Sequence, residues 1–426
     1  MMRFVLLLLL VACEGKTASP PPPATGSDPN RPLEKAVVTP TDPNALVKGH
    51  NNFAIELYGK LPQGNLAISP ASITIAVAMT WAGAKGATAD EIAHTFHFVG
   101  DQAAVLSRWG QFLRGLTEPT EAQRPFTLRL ANRLFVDQHR ELDTVFFDIN
   151  MKTFGARTDV FDFQTAADDA RQKINFWVAQ QTEQHIKDLL PSRSITPATR
   201  LVVVNAIYFL ADWAEPFEPK ATRPQAFHVS ATATKQVDTM HRLGSYRYAH
   251  EGGAALLELS YASFLEAPDM PPTNLAMYIL LPDASDGLPA IEAKLADTVR
   301  ALQGKLASTQ VAVALPKFAI DPPEPTELQK PLGELGMKLA FTPSADFSGI
   351  SPDKKEPLFI SSVLHKAFVK IDEKGTEAAA ATAIATPTGG PSPRATDFVA
   401  DHPFVFMIID RATGLMLFIG RVADPG

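Results

Sequence analysis

Residues whose types could carry chemistry are thinly spread in this chain. Ser69, Ser72 and His365 are the candidates for a hydrolase, but neither serine stands in the Gly-x-Ser-x-Gly turn that exposes such a nucleophile. Ser69-Pro70 reads instead as a helix start: a capping hydroxyl, then a residue whose φ already suits the first helical position. Asp168-Asp169 and Asp90-Glu91 stand at expected helix starts, where negative charge is favourable anyway. His94 and His97 lack the spacing and the companion acid of a metal-binding helix. No glycine-rich phosphate loop is present. The single cysteine, Cys13, excludes an intramolecular disulfide and a cysteine zinc site. Neither metal nor cofactor is expected. One segment, residues 373–398, EKGTEAAAATAIATPTGGPSPRATDF, reads better as a substrate than as a catalyst.

That segment follows a strand-like run, VLHKAFVKID, and precedes an apolar hairpin, HPFVFMIIDRATGLMLFIGRV. Connections between packed elements have about 4–6 residues, and this one has more than twenty. Residues 376–383 comprise five alanines, two threonines and one glutamate. Such side chains give an exposed loop little to hold it down, and alanine is a poor residue for an exposed strand. They do fit a crowded place inside a sheet. The segment has the make-up of a strand that can leave the surface and enter a sheet.

The elements around it are mixed. A helix is expected from Ala71 to Gly83, and Thr88-Ala-Asp-Glu91 reads as a capping box opening another. Ile174, Trp177, Val178, Ile186 and Leu189 lie near helical spacing and predict a helix over residues 174–190. LVVVNAIYFL, residues 201–210, reads as a strand buried on both faces, and LAMYILLP and VAVALPKFAI as further strands. No βαβ alternation and no internal repeat appear, so the fold class is α+β. With 426 residues, 46% hydrophobic and 20% charged, the chain can bury a large core. A formal charge of −7 without any basic run argues against a nucleic-acid partner.

The N-terminus speaks to compartment. Arg3 precedes an apolar run from Phe4 to Val11, too short to span a bilayer and suited to a signal-peptide core. It ends Leu-Val-Ala-Cys13, which resembles a bacterial lipobox. Residues 13–43 then carry eight prolines and few apolar residues, a tether of roughly 90 Å if extended as polyproline II. The expected organisation is a signal peptide at 1–12, a lipidated Cys13 with its tether at 13–43, and one domain at 44–426. The protein is expected to be exported and anchored to a bacterial membrane, facing the periplasm or the exterior. Glu14, where inner-membrane retention often uses Asp, points to the outer membrane.

From Asn44 to Pro425 the chain resembles the serpins. The stretches that carry the resemblance include NLAISPASITIAVAMTWAGAKGATADEI, LANRLFVDQ, TRLVVVNAIYFLADWAEPF, LHKAFVKIDEKGTEAAAAT and ADHPFVFMIID, all in order. The resemblance implies a serpin fold of three β-sheets with eight or nine helices and an exposed reactive-centre loop. It implies a protease inhibitor rather than an enzyme, with target serine proteases as covalent partners. The protease is acylated by the loop, and the cut loop inserts as a new strand into the central sheet; that idea is a general one for this family. A monomer is expected. The hinge of the loop matches Glu373, Gly375, Thr376, Ala378, Ala379, Ala380 and Ala381, with Thr376 the first inward-facing position. It is expected to lie near the surface of the uncut protein. Glu373 is expected to pair with Lys317. Ser69, Ser72, Asn205 and His365 match the gate over which the sheet opens, and Trp213 the point of entry. Family spacing, sixteen residues past Glu373 and nine before Phe398, places the reactive bond at Gly389-Gly390, with Thr388 as the one-residue alternative. Arg394 lies five residues too far. The small, aliphatic run before Gly389 suits elastase-like or subtilisin-like enzymes. The alternatives are a non-inhibitory serpin, acting as substrate, carrier or chaperone, and an inhibitor of cysteine proteases.

If Cys13 carries the anchor, Cys13→Ser moves the protein from the membrane to the soluble fraction of fractionated cells. Equal partitioning of the two forms would remove the anchor. One acyl chain anchors only marginally, so mass spectrometry of the mature N-terminus is expected to find more than one.

Overall fold

In the computed structural model, residues 42–117, 126–262, 275–353, 357–376 and 395–426 are described. Helix α1 (Pro43–Tyr58), capped by the Asp42 carboxylate, leads into β1 (Leu66–Ile68), α2 (Pro70–Trp81), α3 (Gly86–Thr95) and α4 (Gln102–Thr117). Then come β2 (Phe126–Asp137), α5 (Thr144–Phe154), β3 (Thr158–Phe161), α6 (Ala167–Gln181) and β4 (Leu201–Asp212). A strand-rich stretch follows: β5 (Arg223–Ser230), β6 (Ala233–Glu251), β7 (Ala254–Ser260) and β8 (Leu275–Pro282). Helices α7 (Leu288–Glu292) and α8 (Leu295–Gln303), strands β9 (Ala307–Pro316), β10 (Phe318–Ile320) and β11 (Thr326–Glu327), and helix α9 (Gln329–Leu335) precede β12 (Ser362–Ile371) and the two-residue β13 (Gly375–Thr376). Strands β14 (Thr396–Val399), β15 (Phe404–Asp410) and β16 (Leu415–Val422) finish the chain.

The expected α+β arrangement is present, with nine α-helices among the described residues. One sheet has the order β10-β12-β13-β4-β2-β3, with β11 also on β12. The other runs β1-β16-β15-β8-β7-β6-β9-β14, with β5 on β6. Two hydrogen-bonded networks rather than three follow from β6. Its N-terminal part pairs with β5 and its C-terminal part with β7, while β9 lies along it from Thr239 to Tyr248. A single 19-residue strand thus joins what the resemblance counts as separate sheets.

Helix α2 packs against β2, β4 and β16, between the two sheets, and every one of its residues is buried. Its start is as expected: the Ser69 hydroxyl accepts from Ser72 N–H at 3.2 Å, and Pro70 fills the first position. Strand β4 is buried almost throughout, and the β15–β16 hairpin forms as its apolar runs predict.

Two expectations fail. Helix α3 begins at Gly86, so Thr88 and Glu91 are interior to it and form no capping box. Both are used across the fold instead: Thr88 Oγ1 accepts from Asp346 N–H at 2.9 Å, and Glu91 accepts from Lys338 and Leu339 N–H at 2.8 and 2.7 Å. Helix α6 stops at Gln181, well short of residue 190. Glu183 and Gln184 take φ of 49° and 68°, and residues 182–190 turn back non-helically. Ile186 and Leu189 are still buried, in a small cluster with Phe135, Val178 and Val202. Their burial gave the periodicity; a turn, not a helix, delivers it.

Candidate functional site

Strands β4 and β12 run parallel and pair directly from Val202↔Ser362 to Tyr208↔Phe368. Beyond Tyr208 they part, and β13 lies antiparallel between them: Thr376 opposes Ala211 on β4 and Ile371 on β12. The sheet is therefore closed along most of this seam and split at one end by Gly375 and Thr376, near the start of the long connection.

A hairpin of residues 372–375 turns the chain back into the seam, closed by Asp372 N–H to Gly375 C=O at 2.9 Å. The other wall grips it: Trp213 N–H donates to Lys374 C=O at 2.6 Å, Phe217 N–H to Glu373 C=O at 2.7 Å and Trp213 Nε1–H to Asp372 C=O at 3.1 Å. At Gly375 a Cβ would overlap the Ala211 carbonyl oxygen and come within 2.7 Å of Asp212 Cα, so close backbone approach is what requires glycine there. Glu373 does pair with Lys317, at 3.1 Å, and also accepts from Thr222 Oγ1 at 2.8 Å. Burial alone would raise its pKa; hydrogen bonds from its own N–H, Thr222 and Lys317 outweigh that and hold the carboxyl below its ordinary value.

Thr376 corrects an expectation. It does not lie near the surface: its exposure is 0%. Its hydroxyl is 2.9 Å from the buried hydroxyl of Tyr261, whose ring stacks on Trp213 at 4.6 Å. The inward orientation is as expected. Tyr261, Thr222 and Phe217 were not legible as site residues.

Roughly 20 Å along the seam, by strand rise, lie the residues that the resemblance matches to a gate. His365 on β12 and Asn205 on β4 are register partners and both fully buried. Ser69 N–H donates to His365 Nε2 at 3.0 Å, which assigns the proton to Nδ1; Nδ1–H then donates to Asn205 Oδ1 across the seam. Asn205 Nδ2 donates to Ser72 Oγ and Asn132 Oδ1, each at 2.6 Å, and Ser72 Oγ donates to Asn132 Oδ1 at 3.1 Å. Asn132, on β2 directly opposite Asn205, completes the network. Asn132 was not singled out in the sequence, where it stands beside Arg133 in LANRLF. Burial pushes the His365 pKa down to about 3, so the ring is neutral and the network needs no counter-ion.

All four gate residues are thus brought together, as are Trp213, Lys317, Glu373, Gly375 and Thr376. Cys13, Ala378, Ala379, Ala380, Ala381, Thr388, Gly389, Gly390 and Arg394 lie outside the described residues.

A family model described as Serpin (serine protease inhibitor) matches residues 48–425. An uncharacterized serpin-like protein of Thermococcus kodakarensis is 34% identical over 99% of this chain and 97% of its own. The human leukocyte elastase inhibitor is 36% identical over 89% of this chain and 99% of its own. Among solved structures, a highly specific serpin of the insect Tenebrio molitor superposes with a TM-score of 0.79 at 33% identity, covering 89% of this chain and 98% of that one.

Two predictions follow from the geometry. Thr376→Arg would place an unpartnered guanidinium in the seam, at a cost of several kcal/mol. It is expected to lower the unfolding temperature of the uncut protein and to strip the hinge amides of hydrogen-exchange protection. Unchanged protection would mean that β13 is not seated. The second concerns acid. His365 and His50, the latter lowered to about 4 by burial, have folded pKa values below the unfolded one. The unfolded chain therefore binds more protons below about pH 6.5, and stability falls as pH drops from there toward 4. Glu373 adds its loss only as pH falls below the ordinary carboxylate range. A thermal series is expected to show the decline starting near pH 6.5, and a flatter slope in His365→Gln.

Proposed function

The chain belongs to the serpin family, and on that premise we propose that it inhibits serine endopeptidases as a suicide substrate. The protease serine attacks the carbonyl of Gly389, or of Thr388 one residue earlier; the peptide bond breaks, Gly390 (Gly389 in the second case) leaves with the new amine, and an acyl ester holds the enzyme. The freed connection then slides down the β4–β12 seam before water reaches the ester. The observation that carries this reading is β13: its two residues already hydrogen-bond on both sides of the seam, antiparallel to both neighbours.

Extending that register is informative. Counted down β4 from Thr376↔Ala211, residue 382 falls opposite Asn205; counted down β12 from Ile371↔Thr376, the same residue falls opposite His365. The two counts converge because Asn205 and His365 are themselves partners. Residue 386 reaches Leu201, where β4 begins, and Pro387, which cannot donate to a ladder, follows. Twelve residues, 375–386, span roughly 40 Å and leave Gly389 just past the end of the strand. The inward set Thr376, Ala378, Ala380 and Thr382 is small throughout. One parallel interface is exchanged for two antiparallel ones, which pair slightly better per residue. At about 1 kcal/mol net per hydrogen bond, the exchange yields on the order of 10 kcal/mol.

The small residues before Gly389 favour elastase-like or subtilisin-like targets, in keeping with the elastase inhibitors among the relatives. Residues 13–43 serve as a tether from a lipidated Cys13 on a bacterial membrane, and the inhibitor works as a monomer.

On a denaturing gel, an elastase-like protease is expected to shift by the mass of the inhibitor, much faster than trypsin does. A nick without a covalent band would overturn the proposal. So would rapid trapping of trypsin with cleavage after Arg394. Thr382→Arg, which places a charge between Asn205 and His365 on insertion, is expected to turn inhibitor into substrate; trapping at the unaltered rate would displace the register.

A further inference from the structure

Beside the hinge grip lies a cavity of about 320 Å³, outside the seam itself. One wall is apolar, made by Trp213, Phe217 and Leu259. The other is charged. Glu258 lies on β7 with its side chain 1% exposed. Its Oε1 meets Arg411 Nη1 at 3.2 Å and the Tyr278 hydroxyl also lies against the carboxylate, while Oε2 accepts no hydrogen bond and has Arg247 Nη1 3.5 Å away. Arg411 reaches Ser260 Oγ at 3.3 Å with the same nitrogen, which leaves the rest of its fork open. Arg247 and Arg411 are 45% and 32% exposed, so both reach the mouth. Glu215, also at the wall, is held by Arg242 at 2.6 Å.

The charge balance selects the guest. Arg247 and Arg411 line the cavity against Glu258 and Glu215, and Glu215 is paired with Arg242 outside the lining, so the two lining guanidiniums face one remaining carboxylate. A buried carboxylate oxygen without a donor wants an N–H or O–H, since leaving such a group unpaired is costly. Planar guanidinium forks suit a carboxylate, bound bidentately. The indole and phenyl wall suits an apolar body, and the volume is at the lower end of the range for small-ligand clefts.

We propose that this cavity binds a small carboxylate carrying an apolar body and one N–H or O–H donor, the chemistry of an N-acylated amino acid. The carboxylate lies across Arg247 and Arg411, the donor faces Glu258 Oε2, and the apolar body rests on Trp213 and Phe217. A guest there presses on the residue whose N–H holds Lys374 C=O, so binding reports directly through Trp213.

The test uses the full domain and N-acetyl-L-phenylalanine as probe, read by calorimetry and tryptophan fluorescence. Saturable binding is expected with a Kd of about 0.1–1 mM. N-acetyl-L-phenylalaninamide and phenethylamine, which lack the carboxylate, are expected to bind at least tenfold more weakly. Arg247→Gln with Arg411→Gln is expected to cost a similar factor; if the double variant does not fold, the exposed Arg247→Gln alone carries the comparison. Trp213→Phe is expected to abolish the fluorescence change while heat is still released. No saturable binding, equal binding of acid and amide, or indifference to the arginine changes would each overturn the proposal, and none of these outcomes bears on protease trapping.

Discussion

The structure is organised around one stretch of parallel pairing, Val202–Tyr208 of β4 against Ser362–Phe368 of β12. A central strand pair normally gains nothing from being separable. Here the partners are tied mid-seam by a buried side-chain bond, His365 to Asn205, rather than by apolar packing alone. A buried polar network is strong when every member is satisfied and costly when one is not. It therefore holds the seam shut in one register. Ser69 and Ser72 set the network from α2, a helix buried on all sides and so unable to shift without disturbing both sheets.

Much of this could be read from residue order. Continuous apolar runs gave β4, β8 and the β15–β16 hairpin, because strands buried on both faces tolerate little else. The start of α2 was legible because Ser-Pro acts within one turn. What escaped depended on partners distant in sequence. Thr88 and Glu91 have the spacing of a local cap, yet each satisfies backbone N–H groups some 250 residues away, a preference no local pattern contains. Residues 182–190 kept helical spacing because burial of Ile186 and Leu189 sets apolar positions whether a helix or a turn delivers them.

The site divides along the same line. The family resemblance marked Glu373, Gly375 and Thr376, but not that Thr376 lies inside the sheet of the uncut chain. That fact depends on Tyr261, 115 residues earlier, which offers a hydroxyl at the right depth. Gly375 was expected as part of the hinge; its need is to lie against the Ala211 carbonyl. Asn132 was not singled out, and its meaning came only from its place opposite Asn205.

The seam also has a mechanical side. With the connection inserted as proposed, a free-energy drop on the order of 10 kcal/mol spread over roughly 40 Å would correspond to a mean pull of about 20 pN on whatever is tied to the far end of the strand. The load would rise and fall along the path, highest where His365 and Asn205 must be prised apart and lower beyond them. A protein tethered by one ester would feel it at a single surface point, so its least stable local unit, rather than its average stability, would decide what gives way.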